Sequence, residues 1–232
     1  MTTHIIIGNF GNHSLAALAY LHEQMIEDLH FCYVDTGWMS AAWQKRIEAA
    51  CRYAESIGVK VHCLKPKAQF ADLVLARNQF PSRKFQWCTS FLKGLTLLSF
   101  LEEFDSTCEA LIVFGKRRKD ALRFADLNEF EEDSEHFEGR TLWHPLLELD
   151  DEGFKMLVSK TGLAFLSHAS LECNPCIHFP NQMDDEAKSR VKALEEKIGM
   201  PMFVNPIANE KNVTTDLKQF DLGCGAIFGC GE

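Results

Sequence analysis

Apolar and polar positions follow two periodicities from the first residues onward. His4-Ile5-Ile6-Ile7 is a β-branched apolar run that stops at a small polar loop. Leu15, Leu18, Ala19, His22 and Met25 then recur at helical spacing. The pattern predicts strand, tight loop, helix. It returns at residues 29–35, a strand ending in Asp35-Thr36-Gly37. A helix from about Met39 follows, with Trp43, Ile47, Ala50, Cys51, Ala54 and Ile57 on one stripe and Gly58 as its stop. Residues 59–64 read as a third strand, closed by Lys65-Pro66.

Residues 69–85 are less regular and are expected to lie over the strand ends. Trp87-Cys88-Thr89 opens an apolar helix through Leu92, Leu95, Leu98, Leu101 and Phe104, and residues 110–115 form a buried strand. The acidic stretch 129–138 reads as an exposed, mobile loop, and buried structure resumes at 142–147. Asp150-Asp151 caps a helix through Phe154, Leu157 and Val158, and a last helix places Ala187, Val191, Leu194 and Ile198 on one face. Strands alternating with helices of this length build right-handed βαβ units. The expected class is therefore α/β, a Rossmann-like parallel sheet with helices on both faces. Residues 1–170 would form that sheet domain, and 171–232 a small Cys-rich C-terminal appendage, too small to fold without a staple.

Composition narrows the function. A net charge of −9 over 232 residues argues against duplex nucleic acid, which needs a basic surface to displace counterions. No apolar run approaches the roughly 18 residues of a membrane span, and a cytoplasmic protein is expected. Within this acidic chain one basic run stands out, Lys116-Arg117-Arg118-Lys119, at the carboxyl end of a parallel strand, where open α/β sheets bind ligands.

The opening loop offers matching chemistry. Where a strand hands over to a helix, first-turn N–H groups and the positive end of the helix dipole can hold an anion. Gly11 would let the backbone approach the ligand, and Ser14 would cap the helix or donate a hydroxyl.

The nine cysteines fall into two groups. Cys32, Cys51, Cys63 and Cys108 sit on strand or helix core faces or near element ends, and Cys88 is placed to line the ligand site. Cys173, Cys176, Cys224 and Cys230 are assigned to one metal centre. The first two have the Cys-x-x-Cys spacing that lets two thiolates converge on one ion, and glycines flank the second pair. All-cysteine ligation fits a [4Fe–4S] cluster or structural zinc, with a disulfide pair as the alternative.

Five stretches, in order, resemble the phosphoadenosine phosphosulfate (PAPS) reductase family within the N-type ATP pyrophosphatase superfamily. Asn9-Phe10-Gly11-Asn12-His13-Ser14 stands where that superfamily has Ser-Gly-Gly-Lys-Asp-Ser, and Val34-Asp35-Thr36-Gly37 matches its Asp-Thr-Gly. Trp87-Cys88-Thr89 with Lys93 resembles the Cys-Cys/Thr…Lys helix start, and Gly115-Lys116-Arg117-Arg118-Lys119-Asp120 resembles Gly-x-Arg-x-x-Glu. His144-Pro145-Leu146-Leu147 is similar to the family's Pro-Leu-x-x-Trp segment. The resemblance implies an adenine nucleotide, PAPS or ATP, bound by Asn9, Gly11, Asn12, His13, Ser14, Asp35, Thr36, Gly37, Gly115 and Arg117, with Cys88, Lys93 and Arg117 as catalytic candidates. Asp35 would receive a ribose hydroxyl or a metal-bound water, with Mg²⁺ a further candidate cofactor.

Two departures stand out. The opening loop lacks the Lys and Asp of the superfamily motif, and the family's Glu-Cys-Gly-Leu-His motif is only echoed by Glu172-Cys173 and Cys176-Ile177-His178. Three functions stay open: sulfonucleotide reduction or sulfur transfer, with a reductant or sulfur-donor protein as partner; ATP-dependent adenylation of a base or small metabolite; and nucleotide binding without turnover, as a sensor.

Overall fold

The computed structural model describes residues 2–82, 85–180 and 183–203. Six strands form one sheet in the order β3-β2-β1-β4-β6-β5. They are β1 (His4–Ile7), β2 (Leu29–Val34), β3 (Lys60–Leu64), β4 (Leu111–Val113), β5 (Phe130–Glu131) and β6 (Leu142–Trp143). All neighbours pair in parallel except β5, which runs antiparallel to β6 at the edge.

The helices are α1 (Asn12–Glu23), α2 (Ala41–Ser56), α3 (Phe70–Arg77), α4 (Leu95–Phe104), α5 (Asp151–Lys160) and α6 (Asp185–Ile198). The period of two along β1 separates two cores. Ile6 joins Phe31 and Tyr33 under α1, α2 and α5, while Ile5 and Ile7 join Cys32 and Val34 under Leu97 and Leu101 of α4. Helices thus cover both faces, as the alternating pattern predicts. No helix among the described residues is long and apolar enough to cross a membrane.

Four local expectations change. The stripe expected on α4 shifts phase, because a π-helical turn at Thr89–Gly94 precedes it and inserts an extra residue per turn. Leu92, Leu97 and Leu101 are buried, whereas Leu95 and Phe104 face solvent. In α1 the stripe ends at Leu21, and Met25 is 83% exposed. Cys63, placed on a core face by its strand alternation, is exposed on β3 at the sheet edge.

The acidic stretch after 129 is not a free loop. It contributes β5 and a short 3₁₀ turn, Glu135–Phe137, and Phe137 is fully buried against Phe114. Arg140 closes this region. Its guanidinium is wholly buried, with Nε donating to Asp105 at 2.7 Å and Nη2 donating to the carbonyls of Leu101 and Asp105.

The described part of the C-terminal region packs on the sheet domain. Val191, Leu194 and Ile198 of α6, on the face its spacing predicts, share a third core with Trp38, Phe70, Val74 and Trp87. Asp184 caps α6 by accepting from the Ala187 N–H.

Candidate functional site

The strand order reverses direction at β1. β2 and β3 lie on one side and β4 on the other, so the loops after β1 and β4 leave the sheet in opposite senses. In open α/β sheets the crevice outside such strand ends is where ligands bind. A small polar cleft opens at this edge, lined by Ile7, Gly8, Cys32, Val34, Lys93, Leu97 and Glu172.

Two ionisable side chains meet in its wall. Lys93 Nζ lies 2.5 Å from Glu172 Oε1, and the side chains are only 5% and 6% exposed. Lys93 comes from the π-helical turn, and such turns are frequent at functional sites. Glu172 comes from a strap, residues 161–175, that carries no helix or strand in its central part and crosses the carboxyl edge. Burial in the same wall pushes the Cys32 thiol well above its ordinary range, which keeps it protonated.

The strap is sewn to the opening loop. Asn12 exchanges two hydrogen bonds with the Leu166 backbone, donating at 2.8 Å and accepting at 3.0 Å. Asn9 Nδ2 donates to Ser170 Oγ at 3.0 Å, and Arg46 donates to the carbonyls of Phe10 and Ala164. Further along, the Ser40 N–H donates to the Leu171 carbonyl, and the Asn174 N–H to the Trp38 carbonyl.

The opening loop itself differs from expectation in two ways. Gly11 has φ −71° and ψ −178°, open to any residue, and the left-handed residue is Phe10 at φ 60°. Phe10 holds this conformation because its ring is fully buried and stacked on Phe31 at 4.1 Å. Ser14 does not cap α1 either: its hydroxyl donates back to the Gly11 carbonyl from inside the first turn. The first intrahelical donor is Leu15 N to Gly11 O, so the N–H groups of Asn12, His13 and Ser14 form the helix's open end.

Gly115 makes the closest approach at this edge. A Cβ there would lie 2.1 Å from the His13 carbonyl oxygen, so only glycine lets the loop after β4 touch the start of α1. On the other side of β1, Asp35 accepts from the Gly37 N–H at 2.9 Å, and Gly37 takes φ 69° to complete the turn. The buried Thr36 hydroxyl lies 4.0 Å from Cys173 Sγ. Cys88 directly precedes the π-helical turn and is half-buried in the same cluster as Cys173.

The basic run is neither a solvated face nor an open anion cradle. Arg117 is buried, forms two hydrogen bonds to Asp120, reaches Asp151 at 3.1 Å, and lies over the Phe154 ring at 3.9 Å. Arg118 pairs with Glu148, and Lys119 with Asp151. His13 Nε2 joins the network at 2.7 Å from Asp120 Oδ2. Burial opposes ionisation of Asp120, but hydrogen bonds from His13 and Arg117 outweigh it and hold the carboxyl at about 2.

The structure places Lys93 in the cleft wall and Thr36 beside Cys173, with Asp35 and Gly37 in the turn after β2 and Cys88 packed against the same core as Cys173. It ties Asn9, Asn12, His13 and Arg117 to protein partners. The residue that sequence reasoning missed is Glu172, whose only signal was its place beside Cys173 in the split motif echo.

Cys176 begins a turn closed by the Phe179 N–H, which donates to the Cys176 carbonyl, and Cys173 precedes it across Asn174-Pro175. Cys224 and Cys230 lie outside the described residues. Among the described residues no three His, Cys, Asp or Glu side chains converge on one point. The two described thiols, two residues apart in the chain, fit half of a four-thiolate donor set in type and spacing.

No family model matches the chain. An uncharacterized 37.8 kDa protein in the gpa 5′ region of Escherichia phage 186 is 29% identical over 136 residues, 54% of this chain and 40% of its own length. The chain thus spans well under half of that curated relative. Among solved structures, the phosphate complex of PAPS reductase from Candida auris matches 69% of this chain and 74% of its own at 14% identity and TM-score 0.49. The U34-tRNA thiolase NcsA from Methanococcus maripaludis, with its [4Fe-4S] cluster, matches 91% and 79% at 15% identity and TM-score 0.49.

Proposed function

We propose that this chain is an enzyme that holds an adenine nucleotide at the carboxyl edge of its sheet and carries out sulfur-linked chemistry, as sulfonucleotide reduction or sulfur transfer. One observation carries the reading: at the point where strand order reverses, a buried cation, Lys93, lines a cleft with Gly8 and Val34 and pairs with Glu172, whose neighbour Cys173 lies 4.0 Å from the Thr36 hydroxyl.

In this reading the N–H groups of Asn12, His13 and Ser14 and the Lys93 ammonium receive the nucleotide's anionic group. Asp35 takes a ribose hydroxyl, and Gly37 and Gly115 keep the backbone close to the ligand. Arg117 braces the loop after β4, with its charge already matched by Asp120 and Asp151. Cys173 stands where a sulfur acceptor or a metal thiolate is needed. A cluster or zinc held by Cys173 and Cys176, with Cys224 and Cys230, would supply electron transfer or a structural staple.

The test is calorimetric binding of ATP, AMP, phosphoadenosine phosphate and its sulfated form, with iron, sulfide and zinc measured per chain on protein purified without air. Preference for 3′-phosphorylated ligands, lost in Lys93→Met, supports the reductase reading. Release of pyrophosphate from ATP would favour adenylation, which lacks its customary loop lysine here. Stoichiometric iron and sulfide, lost in Cys176→Ser, supports a cluster. One zinc per chain supports a staple, and metal-free stable protein removes the metal centre from the proposal.

A second reading is favoured by a specific observation. Asn9, Asn12, His13 and Arg117 are all bound to protein groups. A site so internally satisfied suits a nucleotide sensor, for which AMP or ATP binds tightly without product.

A further inference from the structure

The Lys93–Glu172 pair joins residues 79 apart in the chain, and its two halves are anchored differently. Lys93 belongs to a helical turn continuous with α4, whose Leu97 and Leu101 are locked in the core. Glu172 belongs to the strap, which has no helix or strand around it and is joined to the rest by the Asn12–Leu166 pair of hydrogen bonds, by Asn9 with Ser170, Arg46 with Ala164, Ser40 with Leu171 and Asn174 with Trp38, and by Leu166 and Leu171 packed on the first core. The cation sits on regular helical structure and the anion on a segment without it.

A buried ion pair adds little to stability, because desolvation of both charges offsets their attraction. Ile7, Val34 and Leu97 line the cleft beside the two charges. What the pair does achieve is to place a carboxylate oxygen 2.5 Å from the Lys93 ammonium, in the cleft at the ligand-binding edge. An oxygen of a phosphate or sulfate would take that same position.

We propose that Glu172 is a built-in occupant of an oxyanion subsite whose cation is Lys93, and that the strap must release Lys93 before a nucleotide's phosphate or sulfate group can bind there. This rests on the nucleotide reading of the cleft and deepens it. The chain in its described state is self-occupied, and the strap is an autoinhibitory element whose displacement is coupled to ligand entry. Apparent affinity is then reduced by the fraction of molecules in which Lys93 is covered.

The experiment titrates wild type, Glu172→Gln, Glu172→Asp and Lys93→Met with AMP, and separately with inorganic sulfate in the presence of adenosine. Hydrogen exchange is followed at the Ser40, Leu166 and Asn174 amides, which the strap protects. Glu172→Gln removes the competing charge and is expected to bind AMP about tenfold more tightly than wild type, with faster exchange at the three amides before ligand is added. Glu172→Asp keeps the charge but shortens its reach, and gives a smaller gain should the glutamine variant fail to fold. Lys93→Met binds neither ligand. Tightening for AMP alone assigns the subsite to a nucleotide-borne group, and tightening for sulfate as well assigns it to free oxyanions too. Wild-type binding that Glu172→Gln and Glu172→Asp leave unchanged or weaken overturns the autoinhibitory role and leaves the nucleotide site standing. Absence of binding in every variant removes both.

Discussion

Arg117 and Lys93 are cations buried at the same sheet edge, and they are held in opposite ways. Arg117 is surrounded by several partners: Asp120 three residues on and, from the start of α5, the Asp150 carbonyl, Asp151 and the Phe154 ring. Its guanidinium geometry is used in full, two N–H groups on one carboxylate and another toward the start of α5. Lys93 pairs with a carboxylate from a distant strap in a cleft. Burial and charge alone would rank the two equally as ligand-binding candidates. Partner anchoring separates them: a cation matched by carboxylates on a turn and a helix start braces the loop, and one matched by a segment without helix or strand is the candidate for a ligand.

The sharpest way to break this distinction is Arg117→Ala. Removing one partner of a buried pair leaves Asp120 poorly matched, and an unfolding free energy lower by about 3–5 kcal/mol is expected in chemical denaturation. AMP affinity of the folded protein should stay unchanged, and a stable variant with lost affinity would return Arg117 to the ligand site.

Gly115→Ala comes next. Its Cβ would meet the His13 carbonyl at 2.1 Å, a backbone atom that cannot turn aside. Forced separation of the β4 loop from α1 is expected to cost about 1–3 kcal/mol and to weaken AMP binding, both readable in one thermal-shift titration.

Acid should destabilise the fold in two steps. Burial, with the Lys116 charge, holds the His144 pKa below 6.5, although Glu131 works against it. The unfolded chain therefore takes up that proton first, and stability falls as pH drops below 6.5, by at most about 1.4 kcal/mol per pH unit for this one group. His144→Gln should flatten that limb. Asp28 and Asp120, both held at about 2 against 3.8 unfolded, add a second loss as pH falls from 3.8 toward 2. Stability flat from pH 7 to 5 in wild type would contradict the buried, neutral His144.

The smallest stability effect is expected where the functional effect is greatest. Lys93→Met with Glu172→Leu replaces the pair by apolar side chains and should leave stability within about 1 kcal/mol of wild type, or raise it, while AMP binding disappears. A large destabilisation would make the pair structural, like Arg117.

Much of the fold was legible from residue spacing. The positions of β1 to β3, the Trp43-Ile47-Ala50-Ala54 stripe of α2, the Asp150 cap of α5 and the buried face of α6 all appear where the pattern placed them. These are local properties, since side-chain direction repeats every two residues in a strand and every 3.6 in a helix. The α4 stripe was misread because the π-helical turn changes that period, and no local residue preference announces it.

The site divides along the same line. The sequence by itself determined that a polar, glycine-containing loop, an Asp-Thr-Gly turn and a basic run would come together at the strand ends, because parallel βαβ connections deliver every such loop to one edge. Only the tertiary structure decided which charges find each other there. His13 with Asp120, Arg117 with Asp151 and Lys93 with Glu172 lie 107, 34 and 79 residues apart, and Coulomb attraction selects partners by distance in space after packing has excluded water.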